Sequence, residues 1–296
     1  KTLDYQSQEA ETKFRYENTT RIDGYKINAG AGLQYATYTN STFRKAFQEG
    51  QPVTIDYDSE LDLFEWSLFG QVSKSFLQEN LTLSLGIRSD ANNYSSSMNS
   101  LLDQISPRFS ASYNFTPQWS VNFSTGRYYQ LPAYTTLGYS NTAGELLNKQ
   151  NGLKYIAADH FVGGIQFLPN ENSKISLEGF YKNYHDYPYS LDDSISLANK
   201  GADFGTYGDE EVLSVAEGRA YGLELLGRHQ DLLGFNVVLA YTLVRSEFAE
   251  LNNTLEPTDN YIPSSWDNQH LLTLTATRSF DNNWDLGFRW RFVGGT

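Results

Sequence analysis

The sequence predicts an all-β fold, an antiparallel transmembrane β-barrel, from three observations. Segments alternate apolar with polar residues, connections alternate short with long, and aromatic residues gather at the short ones. The alternation is sharpest in Gln104–Tyr134. From Ile105 to Phe115 the odd positions are Ile105, Pro107, Phe109, Ala111, Tyr113 and Phe115, with Ser106, Arg108, Ser110, Ser112 and Asn114 between them. A period of two is a strand with two unlike faces. An arginine in the middle of the polar face, and Phe115 and Trp119 flanking the Thr116–Gln118 turn, call for lipid outside, water inside and a boundary at the turn.

Taken in order, Lys1–Glu11 carries no pattern, and Lys13–Thr19 alternates weakly around Phe14 and Tyr16. Tyr25, Ile27, Ala29, Ala31, Leu33 and Tyr35 share a face, and Thr39–Ser59 reads as a polar connection. Phe64, Trp66, Leu68, Gly70 and Val72 form the next outward set, followed past Leu77–Asn80 by Leu81, Leu83, Leu85 and Ile87. Asn92–Asp103 has the Asn/Ser content of a loop. After the opening hairpin, Gln130–Tyr155 has little periodicity. Phe161, Ile165 and Phe167 then turn into Ile175, Leu177, Gly179 and Tyr181. Beyond an acidic segment, Tyr221, Leu223 and Leu225 turn into Phe235, Val237, Leu239, Tyr241 and Leu243. Leu272, Leu274 and Ala276 lead through Asp281–Asn283 into Trp284, Leu286, Phe288, Trp290 and Phe292.

That makes about twelve strands. Outer-membrane barrels place short turns on the periplasmic side and long loops outside, with an aromatic girdle at the boundary. Phe76, Phe115, Trp119, Phe167, Phe235, Phe280 and Trp284 at the short turns fit that girdle. A soluble propeller, sandwich or lectin-like protein also alternates. Its strands average about five or six residues, however, and it would carry a visible repeat of about 40–50 residues.

Composition sets limits. The 296 residues hold 21 Tyr, 18 Phe and no Cys, so thiolate metal sites and disulfides are excluded. Charged residues make up 19%, and the mean hydropathy is −0.50. No apolar run approaches the roughly 20 residues of a membrane helix. The net charge of −13 argues against nucleic acid as a partner. Asp186, Asp192, Asp193, Asp203, Asp209, Glu210, Glu211 and Glu217 cluster around Lys200, as a solvated loop or as a cation-attracting vestibule. The histidines His160, His185, His229 and His270 lack ligand spacing, so neither a metal nor a cofactor is expected. Gly163-Gly164 lies on a strand and suggests a bulge or close packing, and Gly205 and Gly208 do not form a phosphate loop. A Ser–His hydrolase would have to use His270 with Asp267 and Ser264 or Ser265; no enzyme is expected. Arg88, Arg108, Arg289 and Arg291, with Glu65, Glu178 and Glu224, are expected to line the lumen and pair across strands. Tyr128, Tyr129, Tyr134, Tyr184 and Tyr187, in the Tyr/Asn-rich connections, are expected to contact a ligand through their amphipathic rings.

From about Leu81 onward the chain resembles the TonB-dependent receptor family, and within it the receptors of Bacteroidetes-type bacteria. The resemblance rests first on Ser106-Pro107-Arg108-Phe109-Ser110 and on Gly126-Arg127-Tyr128-Tyr129-Gln130-Leu131-Pro132. Asn151-Gly152-Leu153-Lys154-Tyr155 is a degraded form of the family's NPxLKPE-like stretch. Asn199-Lys200-Gly201 and Gly218-Arg219-Ala220-Tyr221-Gly222-Leu223-Glu224 follow, and Trp266-Asp267-Asn268-Gln269-His270 stands where the family has WD-x-RH.

The resemblance implies an outer-membrane active transporter of a Gram-negative bacterium. Its 22-stranded barrel would be plugged by an N-terminal domain and driven by the TonB complex. Residues 1–296 would then be the middle-to-late part of that barrel, without the plug domain or terminal strands, and some of the lumen charges would meet the plug. The partners implied are outer-membrane lipid, the plug, TonB and a small-molecule or glycan substrate of undetermined class. A passive pore or an adhesin on a smaller barrel is the alternative.

Overall fold

The computed structural model describes residues 3–48, 51–141, 143–201 and 208–295; Asp203 and Gly205 lie outside them. The strands are β1 (Leu3–Ile22), β2 (Tyr25–Gln48), β3 (Gln51–Phe76), β4 (Leu81–Asn92), β5 (Ile105–Asn114), β6 (Trp119–Gln130), β7 (Ile156–Asn170), β8 (Ser173–Ser190), β9 (Ile195–Ser196), β10 (Val212–Leu232), β11 (Phe235–Leu251), β12 (Pro257–Pro263), β13 (His270–Phe280) and β14 (Trp284–Val293). Short helices α1 (Tyr134–Leu137), α2 (Leu147–Gln150) and α3 (Leu197–Lys200) sit in the long connections. No helix among the described residues is long and apolar enough to cross a membrane.

All strands join one antiparallel meander in the order β1-β2-β3-β4-β5-β6-β7-β8-β10-β11-β13-β14, with β9 on β8 and β12 on β11. The path therefore holds twelve strands, as the alternation predicts. Within the described residues β1 and β14 each have one neighbour, so the sheet is an unclosed wall.

The outward face is apolar and uncovered. Phe14, Leu85 and Leu223 are 65%, 59% and 49% exposed, and comparable values run across the sheet to Trp290 at 46%. An apolar surface of this extent is stable when lipid covers it. The register places Arg108 opposite Gly126 on the inner face and Phe109 opposite Thr125 on the outer one.

Local chemistry sets the short turns. Asp23 and Gly24 take φ of 51° and 78° and close a two-residue hairpin between Ile22 and Tyr25, the Asp-Gly geometry that suits strand twist. In the opening hairpin, Thr116 Oγ1 accepts from the N–H groups of Gln118 and Trp119 at 3.2 and 3.0 Å. The Trp119 and Phe167 rings stack at 4.2 Å, part of the aromatic band at this end.

One connection is corrected. Thr39–Ser59 is not a loop: β2 and β3 stay in register from Tyr25↔Lys74 to Gln48↔Gln51. Beyond the lipid no outward face must be apolar, so the period-two hydrophobic signal fades while β-favouring Thr, Tyr and Phe keep the ladder.

Candidate functional site

At the end carrying the long connections, these fold inward onto the concave face. Ala36, Tyr38, Leu61 and Leu63 project from the inner faces of β2 and β3. They are buried against Tyr94, Met98, Leu137, Leu153, Tyr155, Leu197 and Val212, which come from separate stretches of chain. The connections are tied together by buried polar groups. Asn148, fully buried, donates through Nδ2 to the carbonyls of Thr136 (2.7 Å) and Glu210 (2.9 Å) and accepts from the Val212 N–H at 2.8 Å. Asn92 donates to Tyr155 Oη and accepts from the Tyr94 N–H, while Tyr94 Oη donates to the Leu137 carbonyl. The burial of Asn92 and Asn148 is stable because each amide finds partners for both its oxygen and its nitrogen.

The acidic segment is partly interior. Asp209 and Glu210 are buried, contrary to a wholly solvated loop. Glu210 takes Lys200 Nζ at 2.6 Å and the Ser190 hydroxyl. Burial pushes the Asp209 carboxyl up to about 6, with the Arg44 guanidinium at 3.6 Å opposing it. His185, Asp186, Asp192 and Asp193 are not brought together as a cation site. His185 faces Asp159 and Glu217, Asp186 takes Lys154, and Asp193 takes Lys200. No metal-holding group occurs among the described residues.

The expected ligand tyrosines lie on strands and a helix, not in open loops. Tyr128 and Tyr129 are on β6, Tyr184 and Tyr187 on β8, and Tyr134 on α1. Tyr129, Tyr134 and Tyr187 pack against the inward core, and Tyr134 Oη also donates to Glu11 at 2.7 Å. Tyr184 stacks on Phe248 at 5.8 Å. Tyr128 lies between Arg108, whose Cζ is 4.4 Å from the ring centroid, and the His160 ring at 4.4 Å.

Among the described residues, the expected lumen charges do not pair with one another across neighbouring strands. Arg88 pairs with Asp90 on its own strand at 2.6 Å. Arg108 donates to Ser106 Oγ. Glu65 accepts from Gln34 across β2 and β3 at 2.9 Å. Glu178 and Glu224 stand opposite each other as like charges. Arg289 and Arg291 are exposed on β14, opposite Thr275 and Thr273.

The hydrolase arrangement is not assembled. Asp267, fully buried, accepts from Arg245 and from the Ser246 N–H. His270 Nδ1 instead meets Tyr241 Oη at 2.8 Å. Asp267 thus ties the connection before β13 back to β11. Gly218 and Gly222 in the other motif are close-approach positions. A Cβ on Gly218 would lie 2.5 Å from the Phe248 ring, and one on Gly222 would lie 2.1 Å from the Leu243 carbonyl oxygen. Sequence reasoning missed Asn148; a lone Asn in an aperiodic stretch gives no signal of its burial.

The protein-family model described as TonB dependent receptor-like, beta-barrel matches residues 2–296. A comparison with curated protein sequences finds no match. Among solved structures, the chain is similar to the copper transporter OprC, with 15% identity and a TM-score of 0.66, over 98% of this chain and 44% of that one. It is also similar to the outer membrane transporter YddB from Escherichia coli (16% identity, TM-score 0.59, 98% and 42%). A third is the pyoverdine outer membrane receptor FpvA from Pseudomonas aeruginosa, bound to pyoverdine (13%, 0.59, 98% and 46%). The chain spans under half the length of each of these.

Proposed function

Because this chain belongs to the TonB-dependent receptor-like β-barrel family, we infer that it supplies a wall segment and the outer mouth of an outer-membrane importer of a scarce nutrient. The observation that carries this reading is the pairing of an uncovered apolar outer face with connections folded into the concave side at one end. A passive pore needs that space open to water. An importer needs it filled by a surface that selects cargo. The solved neighbours include a copper transporter and a pyoverdine receptor, and the cargo proposed here is of that broad kind, a metal or a metal chelate, or a glycan, cobalamin or peptide. The narrower resemblance to Bacteroidetes-type receptors belongs to the same reading.

In this reading the whole protein sits in the Gram-negative outer membrane with a plug domain inside its closed barrel and TonB as its energy source. Some of Arg88, Arg108, Glu178, Glu224, Arg289 and Arg291 would face the plug. Breakable polar contacts suit a plug that must move. Tyr128, with its Arg108 and His160 neighbours, is the best placed of the five tyrosines for cargo, because three of the others are committed to core packing. No catalytic step is assigned.

The test is uptake by cells expressing the full-length receptor, offered ferric siderophores, copper, cobalamin and glycans one at a time, with TonB present or deleted. Accumulation that needs both receptor and TonB supports the reading. Accumulation unaffected by TonB deletion contradicts it and indicates a passive pore.

A further inference from the structure

The double glycine Gly163-Gly164 lies in a regular ladder, with no bulge between Ala157↔His185 and Phe167↔Ile175. Its two members face opposite ways. A Cβ added to Gly164 would lie 3.2 Å from the Leu177 carbonyl oxygen on the inner side, whereas one added to Gly163 would meet nothing nearer than 4.0 Å. Gly163 stands opposite Gly179, and one cross-strand row runs Phe123, Gly163, Gly179, Leu223, Leu243 across β6, β7, β8, β10 and β11. Two adjacent residues without side chains leave a notch of about 720 Å³ in the outward apolar face, rimmed by Phe123, Phe161, Tyr181, Tyr221, Leu223 and Leu243.

The notch rises toward the mouth. Gly163 is four residues above Phe167, and Arg245 is ten residues above Phe235, at the short-turn ends of their strands. At about 3.3 Å per residue and a tilt of about 40°, these heights are about 10 and about 25 Å, from the middle to the outer boundary of the apolar band. Arg245 and Gln269 line the upper end. Arg245 uses Nη1 for Asp267 and Nε for Glu247 at 2.9 and 3.4 Å. Its Nη2 takes no acceptor among the described residues. Just above, a second outward row reads Arg127, Asp159, Asn183, Arg219, Glu247. Arg127–Asp159 and Arg219–Glu247 close on each other at 2.6 Å, leaving a polar, charge-balanced belt.

We propose that this notch is a specific lipid site: it holds one acyl chain of a phosphorylated glycolipid of the outer leaflet, with the phosphate on Arg245 and the sugar against the belt. The apolar rim fits the chain, the depth fits the outer leaflet, and the remaining Nη2 of the guanidinium fits a phosphate oxygen. A belt of amides and closed ion pairs offers a sugar both donors and acceptors.

The test uses the full-length receptor in detergent, with lipid A as probe and zwitterionic phosphatidylethanolamine as comparison, scored by native mass spectrometry on the folded fraction. Gly163→Leu fills the notch without touching the inner face. Gly70→Leu adds the same bulk to the outward face elsewhere, where a Cβ meets nothing within 4 Å. Retention of lipid A is expected to fall several-fold in Gly163→Leu and to hold in Gly70→Leu. Equal retention by both variants, or retention of phosphatidylethanolamine as strong as that of lipid A, overturns the proposal.

Discussion

The lower and upper parts of the same strands obey opposite rules. In the lower part of β2, outward Ile27 and Leu33 are 42% and 45% exposed; in its upper part, inward Ala36 and Tyr38 are each 1% exposed. β3 repeats this, with outward Phe64 and Leu68 below and inward Leu61 and Leu63 above. The backbone alternation never slips, as the unbroken β2–β3 register requires. What inverts is which face is apolar, because the medium changes. Lipid bathes the outside below, and the folded connections cover the inside above. The wall is therefore stabilised by its membrane and the mouth by its own core.

The largest expected effect that separates the two regions is Leu63→Ala. Removing a fully buried side chain from the mouth should cost about 2–5 kcal/mol. Hydrogen exchange should show lost protection in 92–104 and 131–155 while β5–β8 stay protected; uniform loss would break the distinction. Leu85→Arg is the converse. Placing a guanidinium on the lipid face should cost about 2–4 kcal/mol near the bilayer midplane. Folding titrations into lipid vesicles should record this, and the mouth should keep its exchange protection in the fraction that folds. Asn148→Ala should cost about 1–3 kcal/mol, since it strands the Thr136 and Glu210 carbonyls and the Val212 N–H. Limited proteolysis should then cut the connections and spare the strands.

The last effect is electrostatic and is read as a pH dependence. Asp209 is held protonated up to about 6, against an ordinary value of 3.8. The folded mouth thus binds this proton more tightly than the unfolded chain does. Its stabilising contribution is full below about pH 4 and is lost as pH rises through about 6. Asp209→Asn should flatten that dependence, because an amide has no proton to lose over this range. Exchange rates of residues 197–201 and 208–212 at pH 4.5 and 7 check it. A slope unchanged by the substitution would assign the titration elsewhere.

The wall was legible because lipid imposes a rule on every second residue: Phe109 out and Arg108 in follow from alternation alone. The mouth was not. Its inward residues come from separate stretches, so Leu153 and Val212 share a core with Tyr38 that no local period records. Asp209 and Glu210 looked like solvated charge because a run of acids shows composition, not depth. The glycine pair was legible as unusual, but its two-sided use needed the register with Gly179.

The change of apolar face along a strand is open to single-cysteine spin labelling in membranes, since residues 1–296 contain no cysteine. Accessibility to oxygen and to a water-soluble nickel chelate would be scanned through 105–113 and 25–42. Oxygen access is expected to alternate in favour of 109, 111 and 113 and of 27, 29 and 33. Positions 36, 38 and 42 are expected to be shielded from both relaxants while their odd neighbours meet the chelate. Oxygen access that continues at the odd positions from 37 to 41, with chelate reaching the even ones, would contradict that change of face.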